Sequence, residues 1–122
     1  MANRQLDFIC KSVDLLDGGK GARFNINRAG RSEAAFAIRF DGKVYAYVNF
    51  CPHLGTELDW QPGEFFDDSG LYLICATHGA TFVPNSGYCT GGPCRGRRLI
   101  SLPIVEFNDE IFLGEGFTLY VE

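Results

Sequence analysis

Cysteine and histidine lie close together at two places in this 122-residue chain. The first is Cys51-Pro52-His53 and the second is Cys75-Ala76-Thr77-His78, which together contain both histidines of the sequence. Each histidine is followed by glycine within two residues, Gly55 and Gly79. Thiolate and imidazole are both strong ligands for transition metals. One of each in two separate segments is hard to ascribe to chance, so the four side chains are predicted metal ligands.

The spacing distinguishes between the metal sites that this ligand set could form. Zinc accepts two cysteines and two histidines, but it usually takes the cysteines from one C-x2-C pair and the histidines from another. A [2Fe–2S] cluster needs two protein ligands on each iron. Two facing loops with one cysteine and one histidine each supply that pattern, with Cys51 and Cys75 on one iron and His53 and His78 on the other. The cluster is therefore favoured over zinc and over four merely packed or exposed side chains.

These motifs resemble those of Rieske proteins. The segments 51–55, C-P-H-L-G, and 75–79, C-A-T-H-G, match the two ligand boxes of that family. Gly42–Ala46, which leads into the first box, and Gly91-Gly92-Pro93, which looks like the proline loop covering the cluster, are similar as well. The likeness extends over about residues 35–113 and implies a [2Fe–2S] cluster on Cys51, His53, Cys75 and His78.

The chain differs from the high-potential members of that family at several positions beside the boxes. Those members carry an additional cysteine in each box, where this chain has Thr56 and Thr77, so the resemblance implies no disulfide between the boxes. They also carry a serine and a tyrosine that donate hydrogen bonds to sulfur, where this chain has Ala80 and Phe82. We therefore expect a midpoint near the low end of the Rieske range of roughly −150 to +300 mV, unless Thr81 supplies a substitute hydroxyl.

The elements that position these boxes are predicted to be short antiparallel strands. Alternating residues at 36–40 and 44–48 flank Asp41-Gly42, which is a strong hairpin signal. Further strands are predicted at 71–75, 81–83, 99–107 and 111–113, with Pro103 marking an edge strand or a bulge. The predicted fold is all-β, an antiparallel Rieske-like sandwich or barrel with a cluster-binding subdomain of two loops, forming a single domain over residues 1–122.

Composition and charge narrow the possible partners. A formal net charge of −4 argues against nucleic acid, and no apolar run approaches the ~20 residues of a membrane span, so a soluble cytoplasmic protein is expected. The run Arg95, Arg97 and Arg98 is either a solvated loop or a docking contact for an acidic partner. An acidic group lies between the boxes at Asp59, Glu64, Asp67 and Asp68.

The predicted function is one-electron transfer without catalytic residues. The resemblance implies a carrier, like the ferredoxin component of ring-hydroxylating oxygenases, that takes electrons from a flavin reductase to a terminal oxygenase or another redox enzyme. We expect partner docking at the tip carrying His53 and His78, with Leu54, Phe82 and Pro93 shielding the cluster. The alternatives are a small non-catalytic subunit of a nitrite-reductase-like complex and a redox sensor. Cys10, Cys89 and Cys94 are predicted to be packed or free thiols.

Overall fold

A computed structural model describes residues 6–52, 56–59, 61–76, 79–92 and 96–120. Within these ranges the chain forms eleven strands and one turn of 3₁₀ helix, Ser12–Asp14. The strands are β1 (Asp7–Lys11), β2 (Ala22–Arg28), β3 (Arg31–Phe40), β4 (Lys43–Val48), β5 (Leu73–Ile74), β6 (Thr81–Phe82), β7 (Cys89–Gly91), β8 (Ser101–Leu102), β9 (Ile104–Phe107), β10 (Glu110–Leu113) and β11 (Thr118–Leu119). All pairings between these strands are antiparallel, so the predicted all-β antiparallel class is confirmed.

The largest sheet has five strands in the order β11-β2-β3-β4-β8. Its centre is the predicted hairpin, in which Phe40 pairs with Lys43 across the turn residues Asp41 and Gly42. Both turn residues have positive φ, 53° and 82°, which is the conformation that a two-residue turn needs to match the twist of the strands. The hairpin positions the site because the chain leaves β4 directly into the first ligand box.

A second sheet has three strands in the order β1-β10-β9. Asn108 and Asp109 connect β9 to β10 with φ values of 57° and 64°, as expected for a tight hairpin. Pro103 separates β8 from β9, and each of these is the edge strand of its own sheet. The edge-strand prediction for this proline is confirmed. Proline has no N–H to donate, and at the edge of a sheet no neighbouring strand needs that donor.

The third sheet, β5-β6-β7, consists of strands of two or three residues and carries the second ligand box between β5 and β6. The contacts that join this subdomain to the five-stranded sheet include one from β3 and one from β4. Phe36 of β3 stacks on Phe65 with ring centroids 3.9 Å apart and 12° between the planes. The hydroxyl of Tyr47, on β4, donates to the carbonyl of Pro84 at 2.7 Å.

Two buried clusters of side chains fill the interior. One lies between the five-stranded and the β1-β10-β9 sheets and includes Ile26, Val48 and Ile111. The other lies under the ligand boxes and contains both box cysteines together with Phe36, Leu58 and Phe82. Within the described ranges no helix has the length and apolar character that crossing a bilayer requires.

Candidate metal centre

Both box cysteines lie at the beginning of a loop and are buried. Cys51 follows the end of β4 and Cys75 follows β5, and each is 1% exposed. The amide of Cys51 donates to the carbonyl of Thr56 at 2.7 Å, and the amide of Cys75 donates to the carbonyl of Ala80 at 2.8 Å. Each loop therefore starts at a buried thiol and is closed by a backbone hydrogen bond to the residue five positions later.

In the sequence, each histidine lies between the two residues that this hydrogen bond joins. His53 and His78 are themselves outside the residues that the structure describes, as are Leu54, Thr77 and Pro93. Their predicted roles, as ligands and as shielding residues, stay predictions. The described part of the site still fits a cluster. Two thiols lie in one apolar cluster, at equivalent positions of two loops that are closed in the same way.

The first loop is supported by a buried polar network. The side-chain amide of Asn49 donates to Asp59 at 3.0 Å, and its oxygen accepts from the amide of Leu58 at 2.8 Å. The carboxylate of Asp59 also accepts from the amide of Gly63 at 2.9 Å and pairs with Arg23 of β2 at 3.2 Å. Since Asn49 lies two residues before Cys51, this network sets the direction in which the chain enters the first box.

The acidic group between the boxes is therefore not a uniform surface feature. Asp59 is 8% exposed and has its hydrogen bonds inside the protein. Asp67 accepts hydrogen bonds from the amide and the hydroxyl of Ser69 and so stabilises a local turn. Sequence reasoning missed the role of Asp59 because its partners come from β2 and from the end of β4, which only the fold brings together.

The two loops contact each other and the segment that follows β7. The amide of Ala76, next to Cys75, donates to the carbonyl of Leu58 at 3.0 Å. Gly92 has a φ of +87°, and a Cβ at that position would lie 2.9 Å from the Cα of Ala80. Glycine is needed there both for the backbone conformation and for the close approach to the second loop.

Among the described residues, the buried side chains that follow the second cysteine carry no hydroxyl. Ala80 and Phe82 are both fully buried and belong to the same cluster as Cys51 and Cys75. Thr81 lies between them on a strand, so its side chain points to the opposite face. Its hydroxyl is 3.1 Å from the hydroxyl of Thr90 on the neighbouring strand.

Two residues of the arginine run, Arg97 and Arg98, are exposed and also contact other parts of the protein. Arg97 donates to the carbonyl of Pro52, in the first box, at 2.8 Å. The guanidinium of Arg98 lies 4.7 Å from the centre of the Tyr88 ring. Arg95 is outside the described residues. Both side chains are exposed, so the two predicted alternatives, a solvated loop and a docking contact for an acidic partner, stay predictions.

The other cysteines differ from one another. Cys89, at the start of β7, is disulfide-bonded, so the prediction that it is a packed or free thiol is wrong about the thiol. An odd cysteine count argues against a fully paired scaffold, but it does not exclude a single bond. Cys10 is a half-buried free thiol, and burial, reinforced by the charge of Asp14, raises its pKa to about 11. Cys94 lies outside the described residues.

The fold and the site define a class, an antiparallel β domain with two similar loops that each start at a buried cysteine. The model of the Rieske [2Fe-2S] domain matches residues 6–107, and the chain belongs to that family. The [2Fe–2S] cofactor and the Rieske-like fold predicted from the motifs are thereby confirmed. The matched region also includes β1 and β2, which lie outside the span on which the sequence likeness rested.

Solved structures of similar fold include ferredoxins. The Sphingomonas yanoikuyae B1 ferredoxin is 19% identical with a TM-score of 0.70, and the match covers 91% of this chain and 99% of that one. The ferredoxin of carbazole 1,9a-dioxygenase from Nocardioides aromaticivorans IC177 is 22% identical with a TM-score of 0.70, covering 91% and 98%.

A chain in the complex of reduced oxygenase and oxidised ferredoxin of carbazole 1,9a-dioxygenase is 22% identical with a TM-score of 0.68, covering 94% of this chain and 95% of that one. Comparison with curated protein sequences finds no significant match. At these identities the structural likeness establishes the shared fold.

Proposed function

We propose that this chain is a one-electron carrier whose [2Fe–2S] cluster is bound by Cys51, His53, Cys75 and His78. The observation that carries the proposal is the matched pair of loops, each starting at a buried cysteine and closed by a backbone hydrogen bond. In the sequence each closure encloses one histidine, two residues after Cys51 and three residues after Cys75. This is the ligand set that a mixed thiolate and imidazole cluster requires.

The chain's own residues hold the ligands and keep water away. When bound, the cluster takes up and releases one electron. Cys51 and Cys75 supply the negative charge of the ligand set, whereas the neutral imidazoles add none and so raise the reduction potential. The thiols lie among buried apolar side chains, which include Leu58 and Phe82 and keep water away from them. The hydrogen bonds that close the loops keep the ligand positions similar in both oxidation states.

The surroundings of the thiols support a potential near the low end of the Rieske range of roughly −150 to +300 mV. Hydrogen bonds to sulfur stabilise the reduced cluster, and the fully buried Ala80 and Phe82 have no hydroxyl to donate. Thr81 faces the opposite side of its strand and lies within hydrogen-bond distance of Thr90. This contact supports a site in which Thr81 is not the substitute donor that the sequence left open.

The proposed partners are a flavin reductase as donor and a terminal oxygenase as acceptor, with a cytoplasmic location and no catalytic group in this chain. The support is the structural likeness to ferredoxins, which include the ferredoxin of carbazole 1,9a-dioxygenase and a chain in a complex of oxygenase and ferredoxin. The proposed docking face is the loop tip that is predicted to carry His53 and His78, because electron transfer requires the partner to come close to the cluster.

Ligand substitutions test the cluster assignment. Wild-type protein should contain two irons and two sulfides per chain and show the EPR signal of a reduced Rieske centre. Cys51→Ser and Cys75→Ser should lose it, whereas Cys10→Ser, a thiol outside the boxes, should keep it. A colourless protein with one zinc per chain, or full cluster content in both box variants, would refute the assignment.

Electron delivery tests the carrier role separately. Cluster-loaded protein should be reduced by NADH and a flavin-dependent ferredoxin reductase, and should then reoxidise when it is mixed with a Rieske oxygenase. Stopped-flow absorbance measures both steps. An intact cluster that exchanges electrons with neither protein would contradict a carrier and favour a structural subunit or a sensor.

A further inference from the structure

Arg97 connects the segment after β7 to the first ligand box. Its backbone carbonyl accepts from the amide of Cys89 at 2.9 Å, so the strand holds its main chain in place. Its guanidinium then reaches the carbonyl of Pro52 at 2.8 Å. The two residues are 45 positions apart in the sequence, so the contact is made by the fold and not by a local turn.

Pro52 occupies a sensitive position in the box. Its carbonyl belongs to the peptide bond that leads into His53, and the preceding residue is the buried Cys51. Proline has a fixed φ, so its ψ is the main remaining freedom of this short segment. A hydrogen bond that holds the Pro52 carbonyl fixes ψ and thereby the direction in which the chain continues to the predicted histidine ligand.

The contact also brings a permanent positive charge to the box. A guanidinium stays protonated at every accessible pH, and its hydrogen bond to a carbonyl is charge-assisted. Reduction adds one negative charge to an iron–sulfur cluster, and net charge near the cluster is one of the factors that set its potential. A cation held at Pro52 therefore favours the reduced state.

We propose that Arg97 is a positioning residue for the cluster. It fixes the first ligand loop through the Pro52 carbonyl, and its charge raises the reduction potential. This inference rests on the proposed ligand role of Cys51 and His53. The two boxes alone supply the ligands, whereas the proposed role of Arg97 depends on its contact with the Pro52 carbonyl.

Arg98 provides a matched control for Arg97. It is the next residue, carries the same charge, and directs its guanidinium to Tyr88 and to the carbonyl of Ser86 instead of the box. Arg97→Gln should shift the equilibrium between the reduced and oxidised forms at least threefold toward the oxidised form. At 59 mV per tenfold change for one electron, this is a fall of about 28 mV or more in the midpoint potential. Cluster loss into a chelator should become at least threefold faster. Arg98→Gln should match wild type in both measurements.

Arg97→Lys separates charge from geometry. Lysine keeps the charge but lacks the planar donor group, so its midpoint should fall less than that of Arg97→Gln. The measurements are a spectroscopic redox titration and the rate of visible bleaching in excess EDTA. Loss of the cluster in folded Arg97→Gln alone, with Arg98→Gln loaded, would also support the proposal.

The proposal fails if Arg97→Gln equals wild type, if both glutamine variants shift equally, or if both lose the cluster, since the effect would then not depend on the Pro52 contact. These outcomes are distinct from failure of the proposed function, in which wild-type protein itself would lack the Rieske EPR signal.

Discussion

Removal of the Asp59 carboxylate should destabilise the protein far more than removal of its neighbour Glu57. Both acids pair with Arg23, and the pair with Glu57 is the shorter, 2.7 Å against 3.2 Å. The Glu57 side chain is nevertheless 48% exposed, whereas that of Asp59 is fully buried. Burial, and not distance, should therefore decide the outcome.

The magnitude follows from the partners that each change leaves behind. Asp59→Ala strands the side-chain amide of Asn49 and the backbone amide of Gly63 without acceptors and leaves Arg23 without its buried partner. Unpaired buried groups cost about 1–3 kcal/mol each. The side chain of Arg23 is 39% exposed and keeps Glu57, so the lost ion pair adds little to this cost. An exposed pair contributes about 0–1 kcal/mol. We expect a loss of about 2–6 kcal/mol for Asp59→Ala, from its two stranded amides, and under about 1 kcal/mol for Glu57→Gln.

Urea unfolding of the cluster-loaded proteins, followed by far-UV circular dichroism, measures this difference. Asp59→Ala should also bleach faster, because the network extends to Asn49, two residues before Cys51. Equal unfolding midpoints for Asp59→Ala and Glu57→Gln would refute the argument that a buried network supports the first loop.

Three further predictions concern Ala80, Gly92 and Cys10. Ala80→Ser should raise the midpoint potential by about 40 mV, since one added hydrogen bond contributes about 1 kcal/mol. A redox titration measures this change. Thr81→Val is the control and should leave the midpoint unchanged, because the hydroxyl of Thr81 faces the other side of the strand. Gly92→Ala should lower the stability measured in urea more than Gly96→Ala. Both glycines have a φ near +87°, but only Gly92 lies close to Ala80. Equal losses of stability would assign the effect to the backbone conformation alone. The raised pKa of Cys10 adds stability that is present below pH 9.0 and lost as pH rises through about 11. Its alkylation at pH 9, followed by mass spectrometry, should therefore be slower than that of an exposed thiol, and equal rates would contradict the burial.

Local signals made part of this fold predictable. The hairpins at Asp41-Gly42 and Asn108-Asp109 follow from turn residues that tolerate positive φ between alternating strands. β1 was not predicted, although it is the strand that pairs with β10 at the other end of the chain. Its place depends on a pairing between residues about a hundred positions apart, which a local pattern does not reveal.

The same division applies to the site. The four ligand candidates follow from residue type and spacing, because the chemistry of the cluster requires them. The support of the first loop does not, since Arg23, Asn49 and Asp59 become neighbours only after the sheet has formed. The contact of Arg97 with the Pro52 carbonyl was equally hidden, because a run of arginines in a sequence gives no sign of which carbonyl one of them reaches.

The central claim is that the cluster has two cysteine and two histidine ligands. Pulsed EPR of the reduced protein detects nitrogen nuclei bonded to iron and therefore tests this claim directly. Wild-type protein should show two strongly coupled nitrogens, and His53→Cys and His78→Cys variants that retain a cluster should each show one. A reduced cluster without strongly coupled nitrogen in the wild-type protein would contradict the assignment.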